Sequence, residues 1–413
     1  MHAAGHNAAN LLHKISTIWI SELASLLKLR RSDFIRILLV QCGVDCSVTL
    51  AVSSRVQDVA TLRRIGVLKI GVVMEVYLSH WSALRCWRLL RRMGSLSSSY
   101  IELGACAPHG RPSLRATRAE LQRVRDAYGL GDNLHVLVAG MNRRHRREGT
   151  TVHGWAGGVK APCFLELEPG LHLSSPALCF LQLSSELDQL GLRKLGYELC
   201  STYALAESGA IVDSPPLSSL KAISGLAAEW PLNGVKKARR ALEYVREGSH
   251  SPKETELAMK LGLPSRLGGF GLSGFKMNSS VELGAFGQEV TGKSCCIPDL
   301  LWAEHKLDVE YNGREWHSFP EQRERDLRRR QALVNEGYTV LTVEQRVIES
   351  PRELRRLADE VSLLSAGRRL RLRSKCYEAK SRELFSSFAA EGSHVKEGRA
   401  KAQRGTAGEG CDR

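Results

Sequence analysis

The sequence predicts a mixed α/β chain of two or three domains. Three observations carry that expectation. Several segments place apolar residues three and four apart, others alternate apolar and polar residues, and 413 residues exceed the roughly 100–200 of one domain. A hydrophobic content of 43% beside 25% charged residues excludes a disordered, collagen-like or coiled-coil chain.

Residues 1–73 are the least regular. A helical stretch is expected from Ile15 to Val40, with Ser32 or Asp33 able to cap a second helix after the basic Lys28–Arg31 cluster. Two readings stay open here: a small helix-turn-helix DNA reader, or an irregular extension. Met74 precedes a better-patterned stretch and is read as an alternative translation start.

Residues 74–245 are expected to form one domain. Ser79–Gly94 reads as an amphipathic helix ending at glycine. Leu134–Val138 alternates as a strand and leads into the basic loop Arg143, Arg144, His145, Arg146, Arg147. Ser175 and Pro176 open a helix as cap and first residue, with Gly191 and Gly196 expected to punctuate its end. Residues 209–235 read as loop and linker, and Val235–Arg246 as a basic helix.

Residues 248–365 read as helix, strands, helix, strand, helix. Residues 366–413 form a basic tail, opened by Arg368, Arg369, Arg371, Arg373 and Lys375 and expected to be disordered after Phe388.

The balance of 59 basic and 44 acidic residues leaves a net charge of +15, which points to a polyanionic partner, nucleic acid first. No apolar run reaches the roughly 18–20 residues of a membrane span, and no secretory leader is expected, so the expected setting is cytoplasmic, without a membrane partner. Eleven cysteines without a CxxC pair read as reduced thiols.

Two nucleotide-type motifs fail on context, so no small-molecule cofactor is expected. Gly269–Gly274 matches GxGxxG but follows a leucine-rich helix and reads as a flexible loop. Gly287–Ser294 fits GxxxxGKS, yet Pro298 would break the helix that must start near Lys293.

The richest stretch is Ile297–Gly313. Read as a hairpin closed by Ala303–Lys306, it sets Trp302 opposite Leu307, Leu300 opposite Val309, and Asp299 opposite Glu310. Strict alternation puts Leu300, Trp302, Leu307, Val309 and Tyr311 on one face. Asp299, Asp308, Glu310 and Asn312 take the other, and Leu301 does not fit. Two carboxylates about 5 Å apart repel by about 3 kcal/mol at an effective dielectric of 20. A divalent cation, Mg²⁺ or Mn²⁺, would offset that through Asp299 and Glu310, and so would a shared proton or a nearby arginine. Ser251, Pro252 and Glu254 open a helix on which Glu254, Leu257, Ala258 and Leu261 share a core-facing side while Glu256 points elsewhere. Glu254 also fits a capping box with Ser251.

The blocks SPKETELAM, IPDLLW, LDVEYNGREWH and ERDLRRRQALVNEGYTVLTVEQ resemble the very-short-patch-repair endonuclease-like branch of the PD-(D/E)xK nuclease superfamily over about residues 250–350. The resemblance implies a restriction-endonuclease-like core, ordered helix, three strands, helix, strand, with Val281–Phe286 as the first strand. It implies metal-dependent cleavage of DNA, with Glu254, Asp299 and Glu310 as the acids; His317 matches the branch's histidine and can serve as base or ligand or pack under the sheet. Asp326, Arg329 and Leu333 match the following helix. Asn312 stands where the superfamily has lysine, and asparagine donates only neutral hydrogen bonds. Arg323, Arg329 and Arg346 are candidate phosphate contacts, although Glu321/Arg325, Glu324/Arg328 and Asp326/Arg330 can pair along the helix.

SHWSALRCWR, HVLVAGMNRRHRREGTTVHGW and SSPALCFLQL resemble AbiEi-type abortive-infection antitoxin and regulator proteins. That resemblance implies a bacterial defence or toxin–antitoxin protein, a smaller α/β regulator domain, a protein toxin as a further partner, and Arg143, Arg144, Arg146 and Arg147 as DNA-facing residues.

Overall fold

The chain divides between Val73 and Met74 into two units. The structure, a computed structural model, describes residues 74–94, 112–140, 148–155, 163–206, 208–229, 233–313, 320–372 and 374–389, with two further strands at 36–39 and 48–51. In the first unit β1 (Arg36–Leu39) pairs antiparallel with β2 (Val48–Ala51), Arg36 opposite Ala51. The helix expected to reach Val40 therefore does not extend over 36–39. The β-branched Ile37, Val48 and Thr49 suit a strand pair better than a helix. The rest of that expected helix lies outside the described residues.

The second unit opens on β3 (Glu75–Leu78) and α1 (His80–Arg92). The helix falls where the spacing predicts. Its apolar side includes Ala83, Leu84 and Trp87, and Gly94 follows its end at φ 64°. Next come β4 (Leu114–Arg115), α2 (Arg118–Tyr128), β5 (Leu134–Ala139), β6 (Thr150–Trp155), β7 (Phe164–Glu168) and β8 (Leu171–Ser174). They build one mixed sheet in the order β6-β5-β3-β8-β7, with β4 also on β3. The predicted strand at Leu134–Val138 is the inner strand β5.

Ser175 caps α3 (Pro176–Leu183), its Oγ accepting from the Leu178 N–H at 3.2 Å. The helix stops at Leu183, before the two glycines expected to end it. Both glycines lie inside α4 (Gln189–Leu199), which Asp188 caps. Gly196 is there for close packing, because a Cβ would come within 2.6 Å of Val245 Cγ2. After β9 (Tyr203–Leu205) and β10 (Ile211–Asp213) comes α5 (Leu220–Glu229), in a stretch whose composition reads as loop. Ile223, Leu226 and Ala227 give that helix a buried side, and Ser219 Oγ accepts the Ala222 N–H. The basic helix α6 (Val235–Leu242) follows. The helices and sheet enclose one apolar core that includes Leu78, Leu84, Val136, Leu173, Phe180 and Leu192.

The C-terminal half is built on α7 (Pro252–Gly262), β11 (Lys276–Met277), β12 (Val281–Glu282), α8 (Ala285–Thr291), β13 (Cys295–Cys296), β14 (Leu300–Trp302) and β15 (Leu307–Asn312). Then come α9 (Pro320–Asn335), β16 (Thr339–Glu344), α10 (Gln345–Glu349), α11 (Pro351–Ala366) and a last helix, α12, over 377–389. Its sheet runs β11-β14-β15-β16, antiparallel except that β15 and β16 are parallel, joined through α9.

The first strand of this sheet is Lys276–Met277, not Val281–Phe286. Only Val281–Glu282 is strand, paired with β13, because Gly284 starts α8 with its N–H on Glu336 Oε1 at 2.7 Å. Helix α8 runs through Gly287–Thr291 and ends at Gly292, so no helix begins at Lys293.

Helix α12 lies within the expected tail. Its Leu384 is buried, and Phe385 and Phe388 pack on the core of Leu257, Leu261, Leu300, Trp302 and Val309. Among the described residues no helix is long and apolar enough to cross a membrane.

Candidate functional site

The hairpin sets the site. Trp302 pairs with Leu307 and Leu300 with Val309, the register predicted from the sequence, and the chain turns through Ala303–His305 with Lys306 left-handed at φ 47°. Leu300, Trp302, Leu307 and Val309 face the α7 core. Leu301, the misfit, is buried on the opposite face with Ala332, Leu333 and Val340, under α9. The sheet is thus covered on both sides, and alternation alone could not show this.

The acids meet at the open end of this hairpin. Asp299 sits just before β14, and its Oδ2 accepts the Tyr311 N–H at 2.8 Å, which ties it beside Glu310. Glu254 comes from the first turn of α7, where Ser251 Oγ accepts its N–H at 3.1 Å. Its side chain does not complete the capping box, because Oε2 accepts from the His250 N–H at 2.8 Å and Asn278 Nδ2 at 2.7 Å. Asn278 also donates its own N–H to the Asp299 carbonyl at 3.0 Å and sits at φ 45°, a conformation asparagine tolerates better than most residues. One asparagine therefore holds the Glu254 and Asp299 segments together.

Two of the predicted acids, Glu254 and Glu310, are close enough to perturb the third. Burial, then the charges of Glu254 and Glu310, hold the Asp299 carboxyl well above its usual range, against the pull of the Tyr311 N–H and Arg329. Arg329 reaches in from α9, with Nη2 2.7 Å from Glu310 Oε1 and a hydrogen bond to the Ile297 carbonyl. The Arg329–Glu310 contact is close but poorly aligned, so Glu310 Oε1 lacks a properly directed donor among the described residues. An arginine, one of the compensators the sequence left open, is thus present.

Asp308 is a fourth acid, on the same face as Glu310 and fully buried. Neither of its oxygens meets an N–H or hydroxyl donor among the described residues, and its hydrogen-bonding neighbour is the Glu310 carboxyl group. Burial, then Glu310, push its carboxyl up to about 10. The unfolded chain ionises it near about 3.9. Between those values unfolding releases a proton that the folded state keeps, so this group's contribution to stability falls as pH rises. In EDTA-treated protein, Asp308→Asn should differ little from wild type near pH 4 and gain on it steadily toward pH 9. Urea unfolding midpoints across that range provide the check, and a pH-independent difference would refute the assignment.

Other expected residues lie elsewhere. Asn312 ends β15 opposite Glu344. Arg346 pairs with Glu344 at 2.8 Å on the surface. Of the three helix pairs expected on α9, Glu324–Arg328 closes at 2.6 Å, while Arg330 turns to the Val340 carbonyl at 3.4 Å. Arg143, Arg144, Arg146, Arg147, His317 and the side chain of Arg323 lie outside the described residues. A groove of about 390 Å³ runs past Lys276, Glu282, Lys306 and Tyr338, but none of the four acids lines it.

No family model, curated protein or solved structure matches this chain. The site therefore has to be read from its own chemistry.

One further cluster, His80, His135 and His153, has no spacing signal in the sequence. The His80 and His153 rings stack at 3.5 Å between centroids, and His135 Nδ1 lies 3.0 Å from His153 Nε2. Burial, then the two neighbouring imidazoles, lower the His80 pKa to about 2.

Proposed function

We propose that the C-terminal half is a metal-dependent phosphodiesterase acting on DNA, with Asp299 and Glu310 as the metal-binding pair. The observation that carries the reading is three carboxyl groups, Asp299, Asp308 and Glu310, gathered around a single guanidinium, Arg329, with a fourth, Glu254, beside Asp299. Acidic side chains rarely collect at one partly buried point without a cation to offset them.

The donor set fits a hard divalent ion in type and charge. Glu310 Oε1 and both Asp308 oxygens lack directed donors. The fit rests on the Asp299–Glu310 pair, because Glu254, Asp299 and Glu310 do not converge as a three-ligand group and Asn278 and His250 hold Glu254. A bound Mg²⁺ or Mn²⁺ would supply an activated water and charge for the leaving oxygen. Asn278 keeps Glu254 beside Asp299, and the Tyr311 N–H orients the Asp299 carboxylate. Arg329 holds Glu310 and must yield part of that contact for Glu310 to ligate. Arg368, Arg369 and Arg371, exposed between α11 and α12, offer a basic edge for a polyanion.

Two observations favour a second reading, a non-catalytic DNA-binding regulator on a degenerate nuclease fold: the Arg329–Glu310 pair and asparagine at position 312. Supercoiled plasmid with Mg²⁺ or Mn²⁺ separates the two. The full chain should nick it, and Asp299→Ala and Glu310→Ala should each lose at least about 100-fold in rate, in line with the loss on weakening a metal site. Nicking that persists in both variants, or is absent from all three proteins while they still retard DNA in a gel, would defeat the enzymatic reading.

A further inference from the structure

We propose that His80, His135 and His153 form a Zn²⁺-binding site, separate from the carboxylate cluster and independent of its function. Each histidine offers one nitrogen, and the three nitrogens lie within 4.8 Å of one another. Zinc binds imidazole nitrogen at about 2.0–2.1 Å, which puts tetrahedral donors about 3.3 Å apart. The His135 Nδ1 to His153 Nε2 separation of 3.0 Å is already close to that value. In the metal-free chain one of those nitrogens donates to the other, and a bound ion would require that proton to move to the other nitrogen of the same ring.

The backbone brings the three rings together from different elements. His135 and His153 stand on the neighbouring parallel strands β5 and β6, with Leu137 directly opposite His153. His80 is the first residue of α1, immediately after β3, and Ser79 bonds β5 through its N–H to the His135 carbonyl at 2.9 Å.

His80 is held at a cost. Its φ is 48°, a left-handed conformation that a residue with a Cβ rarely adopts at the start of a helix. Strain of this kind persists where surrounding structure enforces it, and it gathers at functional sites. Here Gln182 enforces it. Its Oε1 accepts the His80 N–H at 2.9 Å, and its Nε2 is anchored on Ser174 Oγ at 3.2 Å. Ser79 Oγ lies 3.0 Å from His80 Nδ1, which leaves Nε2 as the ligating atom. Bound histidines characteristically have such an outer partner on the other ring nitrogen. His80 is buried while His135 and His153 are partly exposed, so a fourth position faces outward for water or another ligand.

Three neutral imidazoles suit Zn²⁺ and related transition metals rather than Mg²⁺. The site thus differs in metal class from the acids.

The test uses the full chain stripped with EDTA and titrated with ZnCl₂ alone by calorimetry. CoCl₂ provides a visible-absorption readout of the coordinating atoms. Wild type should bind one equivalent, with a tetrahedral Co²⁺ spectrum lacking the thiolate band. His135→Gln and His153→Gln should each weaken binding by about 100-fold or more, beyond the 10–100-fold typical of outer-partner loss. Both positions are partly exposed, and circular dichroism confirms that each variant is folded. Absence of binding by wild type, binding retained in either variant, or a thiolate-dominated spectrum overturns the proposal.

Discussion

Glu256→Ala should destabilise the protein by about 3–5 kcal/mol, a large share of the roughly 5–15 kcal/mol that holds a domain folded. Glu256 is only 4% exposed and its partner Lys260 only 1%. The two meet on α7 at 2.6 Å, with Lys253 joining Glu256 at 2.8 Å. Lys260 Nζ also donates to the Ile348 carbonyl at 2.8 Å and lies 3.7 Å from the Phe385 ring centre. One ammonium thus ties α7, α10 and the C-terminal helix α12. Without Glu256 that charge stays buried against the Ile348 carbonyl and the Phe385 and Phe388 rings, with the Glu349 carboxylate further off. The double variant Glu256→Leu/Lys260→Met removes both charges and should recover most of the loss, because a buried pair is worth little more than well-packed apolar groups. Urea unfolding of the single and double variants gives the comparison. Equal losses in both would mean that packing, not the unpaired charge, sets the cost.

The second large effect is expected at Gly269. A Cβ there would stand 2.2 Å from the Leu263 carbonyl oxygen, and one at Gly268 would stand 2.3 Å from that of Lys380. Both obstacles are backbone atoms and cannot swing aside. Gly268 also sits at φ 92°. Either alanine variant should cost about 3 kcal/mol or more, in the range reserved for clashes and backbone strain. Gly271 is the internal control. Its φ of 77° carries some penalty, but its nearest neighbour is Pro264 Cα at 4.0 Å, so Gly271→Ala should cost only about 1 kcal/mol. Thermal unfolding that ranks Gly271→Ala with the other two would contradict this account. The GxGxxG match is therefore a packing feature. The loop is not the flexible one its composition implies, since Phe270 is buried and Gly268 presses on α12.

Local pattern was legible wherever one residue and its neighbours decide the structure. Ser175–Pro176, the α1 periodicity, the strand at β5 and the Leu300/Val309 register all match the pattern, although β5, an inner strand, buries Leu137 as well as Val136 and Val138. Glu254 is core-facing as its spacing implies, with Leu257, Ala258 and Leu261. Misreadings cluster where a distant segment intervenes. Helix spacing points Glu256 away from the core, yet Lys260 lets it be buried. Local pattern makes Gly196 a helix stop, but close packing on Val245 leaves no room for a Cβ there. Composition puts Phe385 and Phe388 in a polar tail, but they have a core to pack on.

The candidate acids divide in the same way. Pairing Asp299 with Glu310 follows from the hairpin, because a two-residue side-chain period and a short turn fix which positions face each other. Arg329, Asp308 and Asn278 enter only in three dimensions, since nothing in a linear pattern says that α9 covers the second face of the sheet. The histidines are the extreme case. They stand 55 and 18 residues apart with no repeat between them, and only the order β6-β5-β3 brings them together. Hairpin register and helix faces are local properties written in residue spacing. Burial, charge compensation and clusters drawn from separate strands depend on which elements pack together, and that is settled only when the whole chain folds.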